Sequence, residues 1–230
     1  MSSVMKLVLF DVDGTLLDSQ HLIHACLVET FHGMGRPPLP RAEMLGIVGL
    51  SLVPAMHRLF GEDTSPDDVE RAAGYYREAF LARVDDPAFA PPLFPGAAET
   101  VTALRQRDDV VLGIATGKSM RGVKRILDNF GWSKGVFATI QTADTAPSKP
   151  DPGMVLQGAR EVGLPPEQAI MIGDTSFDIL MGRAAGAGTV GVSWGNHLVA
   201  ELQEAGADHI IDNFDQLLPL VDAFKVPEPS

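Results

Sequence analysis

The chain has 230 residues, 45% of them hydrophobic, and 18 Lys+Arg against 30 Asp+Glu give a formal net charge of −12. That length holds one large domain or two small ones and supplies a core without staples, while the acidity disfavours nucleic acid and anionic membrane surfaces as partners. A single cysteine, Cys26, excludes an internal disulfide framework and any cysteine-built zinc or iron–sulfur site. No apolar run near the start reaches signal or membrane-spanning length, so a soluble, cytoplasmic protein is expected.

In chain order, residues 6–10, continuously apolar from Leu7 on, read as a buried strand. No further core strand begins before residue 110. Helical patterns fill the interval at 19–32, 41–45, 51–60 and 66–82, and the Pro-rich stretch 86–96 closes it. Beyond it, strands at 110–115, 137–141, 169–172, 189–193 and 209–211 alternate with helices at 97–107, 120–130, 152–162, 177–186 and 198–205. This alternation predicts an α/β fold, a Rossmann-like parallel sheet covered on both faces. Residues 1–16 and 94–230 are expected to form that core, and 17–93 an inserted all-helical cap domain. Two crossings, near Leu17 and Pro92, would then act as a hinge; the alternative is that these helices pack directly on the sheet.

Asp11-Val12-Asp13-Gly14-Thr15-Leu16 follows the first strand directly. Two carboxylates leaving the C-terminal end of a parallel strand stand where such sheets place ligands, and Gly14 permits a sharp turn after them. A calcium-loop reading fails, because the fifth, sixth and twelfth positions counted from Asp11 are Thr15, Leu16 and Leu22. Later strand ends carry Thr116-Gly117-Lys118, with a hydroxyl and N–H groups ahead of a helix. Lys149 precedes a Pro-initiated helix, and Asp174 and Asp178 stand four apart in Gly173-Asp174-Thr175-Ser176-Phe177-Asp178. Singly, each has a structural explanation as a cap or surface residue; together, topology brings them to one pocket.

These four segments, in this order, resemble the motifs of the haloacid dehalogenase-like hydrolase superfamily. The inserted helices, Met181-Gly182-Arg183-Ala184-Ala185-Gly186 and Gly191-Val192-Ser193-Trp194-Gly195 are similar to its phosphoglycolate phosphatase-like branch with an α-helical cap. The resemblance implies an aspartyl-phosphate mechanism, with Asp11 as nucleophile, Asp13 as general acid/base, Lys149 as electrostatic partner, and Thr116 and Gly117 holding the phosphoryl oxygens. It implies a metal site of Asp11, the Asp13 carbonyl, Asp174 and Asp178, the last directly or through water. All-oxygen ligation suits Mg²⁺.

Asp13 separates phosphoryl transfer from dehalogenation, which has no alkoxide to protonate. Residues 17–93 hold six arginines and no lysine, so the cap cannot form the Schiff base of phosphonoacetaldehyde hydrolases, and a β-phosphoglucomutase-like activity loses its usual cap lysine. The expected activity is Mg-dependent hydrolysis of a small phosphomonoester such as 2-phosphoglycolate. A phosphosugar mutase and a non-catalytic binding member are the alternatives. The expected partner is thus a small-molecule phosphate ester. Specificity is expected from the cap, with Ser51 at a helix start and Arg58 further along it as substrate-selecting candidates. His21 and His24 are read as hinge or substrate contacts rather than metal ligands.

Overall fold

The computed structural model describes residues 4–133 and 135–225; the outermost residues assigned above to the core and Lys134 lie outside them. Six parallel strands form one sheet in the order β3-β2-β1-β4-β5-β6. They are β1 (Lys6–Phe10), β2 (Val110–Ala115), β3 (Thr139–Gln141), β4 (Ala169–Gly173), β5 (Gly188–Val192) and β6 (His209–Ile211). Every residue of β1 is buried, as a central strand covered on both faces requires.

The alternation of side chains divides the core. Val8, Phe10, Leu112, Ile114, Ile170 and Ile172 join one apolar cluster with α5 (Ala97–Arg105), α6 (Met120–Asn129) and α10 (Leu217–Ala223). Leu7, Leu9 and Met171 face the other way, onto α7 (Gly153–Glu161) and α8 (Ser176–Ala184). A short helix, α9 (Val199–Glu204), joins β5 to β6. The chain winds outward from β1 through β2 to β3, then returns to place β4 on the other side of β1. The crevice between the C-terminal ends of β1 and β4 is therefore the topological switch point, where open parallel sheets receive ligands.

Between β1 and α5 run α1 (Gln20–Gly33), α2 (Arg41–Leu45), α3 (Leu52–Phe60) and α4 (Pro66–Arg83). They enclose an apolar cluster of their own, including Leu27, Phe31, Met44, Met56, Phe60 and Val69. The two crossings run side by side: Leu17 bridges Leu93, Asp18 N–H donates to Pro92 O at 2.9 Å, and Phe94 N–H donates to Leu16 O at 3.0 Å. His21 stacks on Phe89 beside them, with ring centroids 5.1 Å apart.

Every predicted element is found, with its ends within two residues of those expected, and one helix is added. The third strand begins at Thr139 rather than 137, because Phe137 turns into the core and meets Trp132 edge-on at 5.8 Å. Helix α10 has no counterpart in the sequence reading. Pro219 breaks its apolar run as a pattern, yet it stands in the first turn, where the missing N–H has no helical partner to lose.

Candidate active site

Asp11 follows β1, its N–H donating to Ile172 O of the neighbouring β4 at 2.9 Å, so the sheet ladder itself aims the carboxylate into the switch-point crevice. Gly14, at φ 88°, turns the chain immediately beyond. A Cβ there would lie 2.1 Å from Asp174 Oδ2, so the close approach of the first loop to Asp174 requires glycine.

Asp174 follows β4 in the loop before α8 and is fully buried. Its Oδ1 accepts from Thr15 Oγ1 at 3.0 Å, and its Oδ2 accepts from Asn196 N and Nδ2, each at 2.8 Å. Thr175 and Asp178 form a capping box at the start of α8; Asp178 Oδ2 accepts from Thr175 N at 3.1 Å and Oγ1 at 2.7 Å. Local helix chemistry thus holds one Asp178 oxygen and turns the other toward Lys149, whose Nζ lies 2.5 Å away. Lys149, in the loop between β3 and α7, reaches Asp11 Oδ1 as well, at 2.9 Å. That contact is an ion pair without hydrogen-bond alignment: both Asp11 oxygens are buried with no hydrogen-bond partner.

The electrostatics follow from this burial. Desolvation pushes Asp11 up to about 6 against the attraction of Lys149, with Asp178 adding repulsion. Asp174 is pushed up to about 8, by burial first and then by Asp178 and Asp11. For Lys149 burial works against the charge, but the two carboxylates outweigh it and hold the ammonium above the ordinary lysine range. Oxygen atoms of Asp11, Asp174 and Asp178 lie within 4.8 Å of one another. This is a compact set of hard oxygen donors suited to one divalent cation.

Asp13 stands at the mouth of the crevice, its Oδ2 2.8 Å from Lys118 Nζ, and its Oδ1 is buried without a partner. Thr116 follows β2, with its N–H on Gln141 O at 3.0 Å. Gly117 comes next, and a Cβ there would sit 2.5 Å from Gly49 O and 2.6 Å from Leu50 O, so the loop before α3 closes directly onto it. Ser51 N–H donates to Ser148 Oγ at 2.9 Å across the same junction. A cavity of about 670 Å³ opens between these groups and the helices above, lined among others by Asp11, Asp13, Thr116, Gly117, Lys118 and Ser51.

The structure therefore brings together Asp11, Asp13, Thr116, Gly117, Lys149, Asp174, Asp178 and Ser51. Arg58 is the exception. Helix α3 turns Ala55 and Met56 into the helical cluster, and the Arg58 guanidinium lies 5.2 Å over the Phe177 ring, outside the cavity lining. The sequence reading also missed Lys118, although it adjoins Thr116-Gly117, and it missed Thr15 and Asn196, which hold Asp174. Trp194 packs against Phe94 and Phe214 and donates its indole N–H to Thr15 O at 3.1 Å.

Residues 8–192 match the family model described as haloacid dehalogenase-like hydrolase. A Dickeya dadantii protein named "Probable phosphatase IndB" is 31% identical over 214 residues, covering 92% of this chain and 91% of its own length. Phosphoglycolate phosphatase 1 of Pseudomonas aeruginosa is 29% identical over 223 residues, covering 94% of this chain and 80% of its own. The crystal structure of a hydrolase from Pseudomonas syringae superposes with a TM-score of 0.82 at 26% identity, covering 95% of this chain and 99% of that one. With the motif residues gathered at one switch point and the match spanning most of its length, the chain belongs to the haloacid dehalogenase-like hydrolase family.

Proposed function

We propose that this hydrolase is a phosphatase that cleaves a phosphomonoester through an aspartyl-phosphate on Asp11. The observation that carries the reading is the state of Asp11: fully buried, facing a cavity, with both oxygens free of hydrogen bonds and a lysine 2.9 Å away. A carboxylate so placed needs no base to become a nucleophile. Its oxygen attacks phosphorus, and the bond from phosphorus to the ester oxygen breaks. Asp13, whose side chain borders the cavity, gives its proton to the leaving alkoxide. In the second half Asp13 takes a proton from the water that attacks the acyl-phosphate, and inorganic phosphate leaves with the carboxylate of Asp11 restored. Thr116 and the N–H groups after it orient the phosphoryl oxygens.

The cluster of Asp11 and Asp174 fits a divalent cation of the Mg²⁺ kind, which these two carboxylates together with the Asp13 carbonyl would hold and which would supply positive charge against the phosphoryl oxygens. Asp178, with its oxygens on Lys149 and Thr175, chiefly positions Lys149. Residues 17–93 act as a cap that closes about the paired crossings, bringing Gly49 and Leu50 onto Gly117 and excluding water.

In the test, inorganic phosphate release from a panel of phosphomonoesters is expected to vanish in EDTA and return with Mg²⁺. Full activity in chelator overturns the mechanism. Cap closure has its own expected result. Gly117→Ala drives a methyl into the Gly49 and Leu50 carbonyls, which are backbone and cannot rotate away. Steady-state kinetics of this variant should show kcat/KM lowered by about 10²-fold, the scale of an ångström-sized misplacement; unchanged kinetics would dissociate the loop contact from turnover.

A further inference from the structure

The cavity continues well past Asp11 and Asp13. Its volume of about 670 Å³ belongs to the range of roughly 300–1,000 Å³ that encloses drug-sized ligands, and a two-carbon ester fills little of that. Its walls above the carboxylates are apolar and come from the helical segment: Ile23, Ile47, Leu52, Met56, Phe80 and Leu81. Ser51 Oγ, on the same wall, is buried with no hydrogen-bond partner.

Beside the acids Asp11, Asp13 and Asp144, the lining gathers four cations in a chain whose net charge is −12. Lys118, Arg77, Arg121 and Arg125 all border the cavity. Lys118 is taken by Asp13 at 2.8 Å, Arg77 by Glu70 at 2.7 Å, and Arg125 by Asp85. Among the described residues Arg121 makes no ion pair. Asp144, another acid of the lining, accepts the Met120 N–H at 2.7 Å. Arg121 is thus an exposed, unpaired guanidinium in the lining of a largely apolar chamber that also holds the reactive carboxylate, and these two groups describe the ligand that fits there.

Resting on the phosphatase reading above, we propose that the substrate is a phosphate monoester of a bulky, largely apolar alcohol bearing a second anionic group, and that Arg121 is the residue that selects that group. The apolar body displaces water from the helical wall. The second anion gains a charge-assisted contact with Arg121, in the forked geometry that suits a carboxylate.

Three phosphate esters, each with a primary alkoxide as leaving group, test this: 2-phosphoglycolate, 2-(2-naphthyl)ethyl phosphate, and the latter with a carboxylate on the distal ring. With Mg²⁺ present, kcat/KM is expected to rise at least about tenfold at each step, the worth of a buried apolar group and then of one charged hydrogen bond. Arg121→Ala should lower the ratio between the carboxylated and plain naphthyl esters by about tenfold, and Arg121→Lys should recover part of it. The proposal is overturned if 2-phosphoglycolate is turned over as well as the naphthyl esters, or if the ratio is the same in Arg121→Ala; hydrolysis itself then stands. If the enzyme releases phosphate from none of the three, the hydrolysis reading falls and this one with it.

Discussion

Asp11→Asn is expected to lose phosphatase activity by on the order of 10⁴-fold or more, the scale reached when a covalent nucleophile is removed. Asparagine keeps the size and planarity of the side chain but not the charge that attacks phosphorus, so binding geometry survives while the chemical step does not. The same substitution carries a second, opposite-looking result. Burial raises Asp11 from its ordinary 3.8 to about 6 in the folded protein. A raised carboxyl contributes stability that is complete below its unfolded value and is lost as pH rises through the folded one. Above about pH 6 the ionised Asp11 therefore costs folding free energy when no metal neutralises it. In chelator at pH 8 the variant should melt above the wild type, and the difference should close as the pH falls toward 4. Phosphate release and thermal melts across that range check both halves. Retained turnover would remove Asp11 from the nucleophile's role, and a lower melting point at pH 8 would contradict the electrostatic account.

The same balance explains why so much of this molecule could be read before its structure. Strand β1 is a run of five residues with no polar interruption except Lys6, and a strand buried on both faces must look like that. A ligand site at strand ends then follows from topology, so Asp11, Thr116 and Asp174 were visible as residues that each come directly after a strand. What stayed hidden depends on rotation and reach. Whether Arg58 or its neighbours face the cavity is decided by how α3 rolls to bury Ala55 and Met56, and the spacing of a nine-residue helix leaves that roll open.

The contacts that hold Asp174 are of the same kind. Thr15 and Asn196 reach it from segments 159 and 22 residues away, and polar side chains in loops carry no periodicity that announces a partner. His197 is another case. It accepts the Ser176 N–H at Nδ1 (3.1 Å), which leaves Nε2 to donate to Gly46 O at 3.1 Å, tying the catalytic core to the loop after α2. A lone histidine after Gly195-Asn196 offers no sequence signal of such a bridge.

Lys149→Met is expected to damage folding as much as chemistry. The ammonium is fully buried between Asp11 at 2.9 Å and Asp178 at 2.5 Å. Methionine fills the space of the stem but leaves two buried carboxylates facing each other without a cation. Breaking one partner out of a buried charge cluster costs about 3–5 kcal/mol, which for a chain of this size corresponds to a fall in Tm of roughly 10 °C or more. The pH dependence identifies the cause. Lys149 is held above its usual range in the folded protein, so the wild type keeps this contribution throughout the neutral range and loses it only in strong alkali. In chelator, the stranded carboxylates of the variant can be relieved only by protonation. The deficit in Tm should therefore shrink as pH is lowered from 8 to 5 and widen as it is raised. Activity should not follow, because protonating Asp11 removes the nucleophile at the same time as it relieves the repulsion. Lys149→Arg restores a charge that can pair with the two carboxylates but not a compact ammonium at the position of Nζ; it should regain stability ahead of turnover. A Lys149→Met protein whose Tm deficit is the same at pH 5 and pH 8 would show that packing, rather than charge, is what Lys149 supplies to the fold.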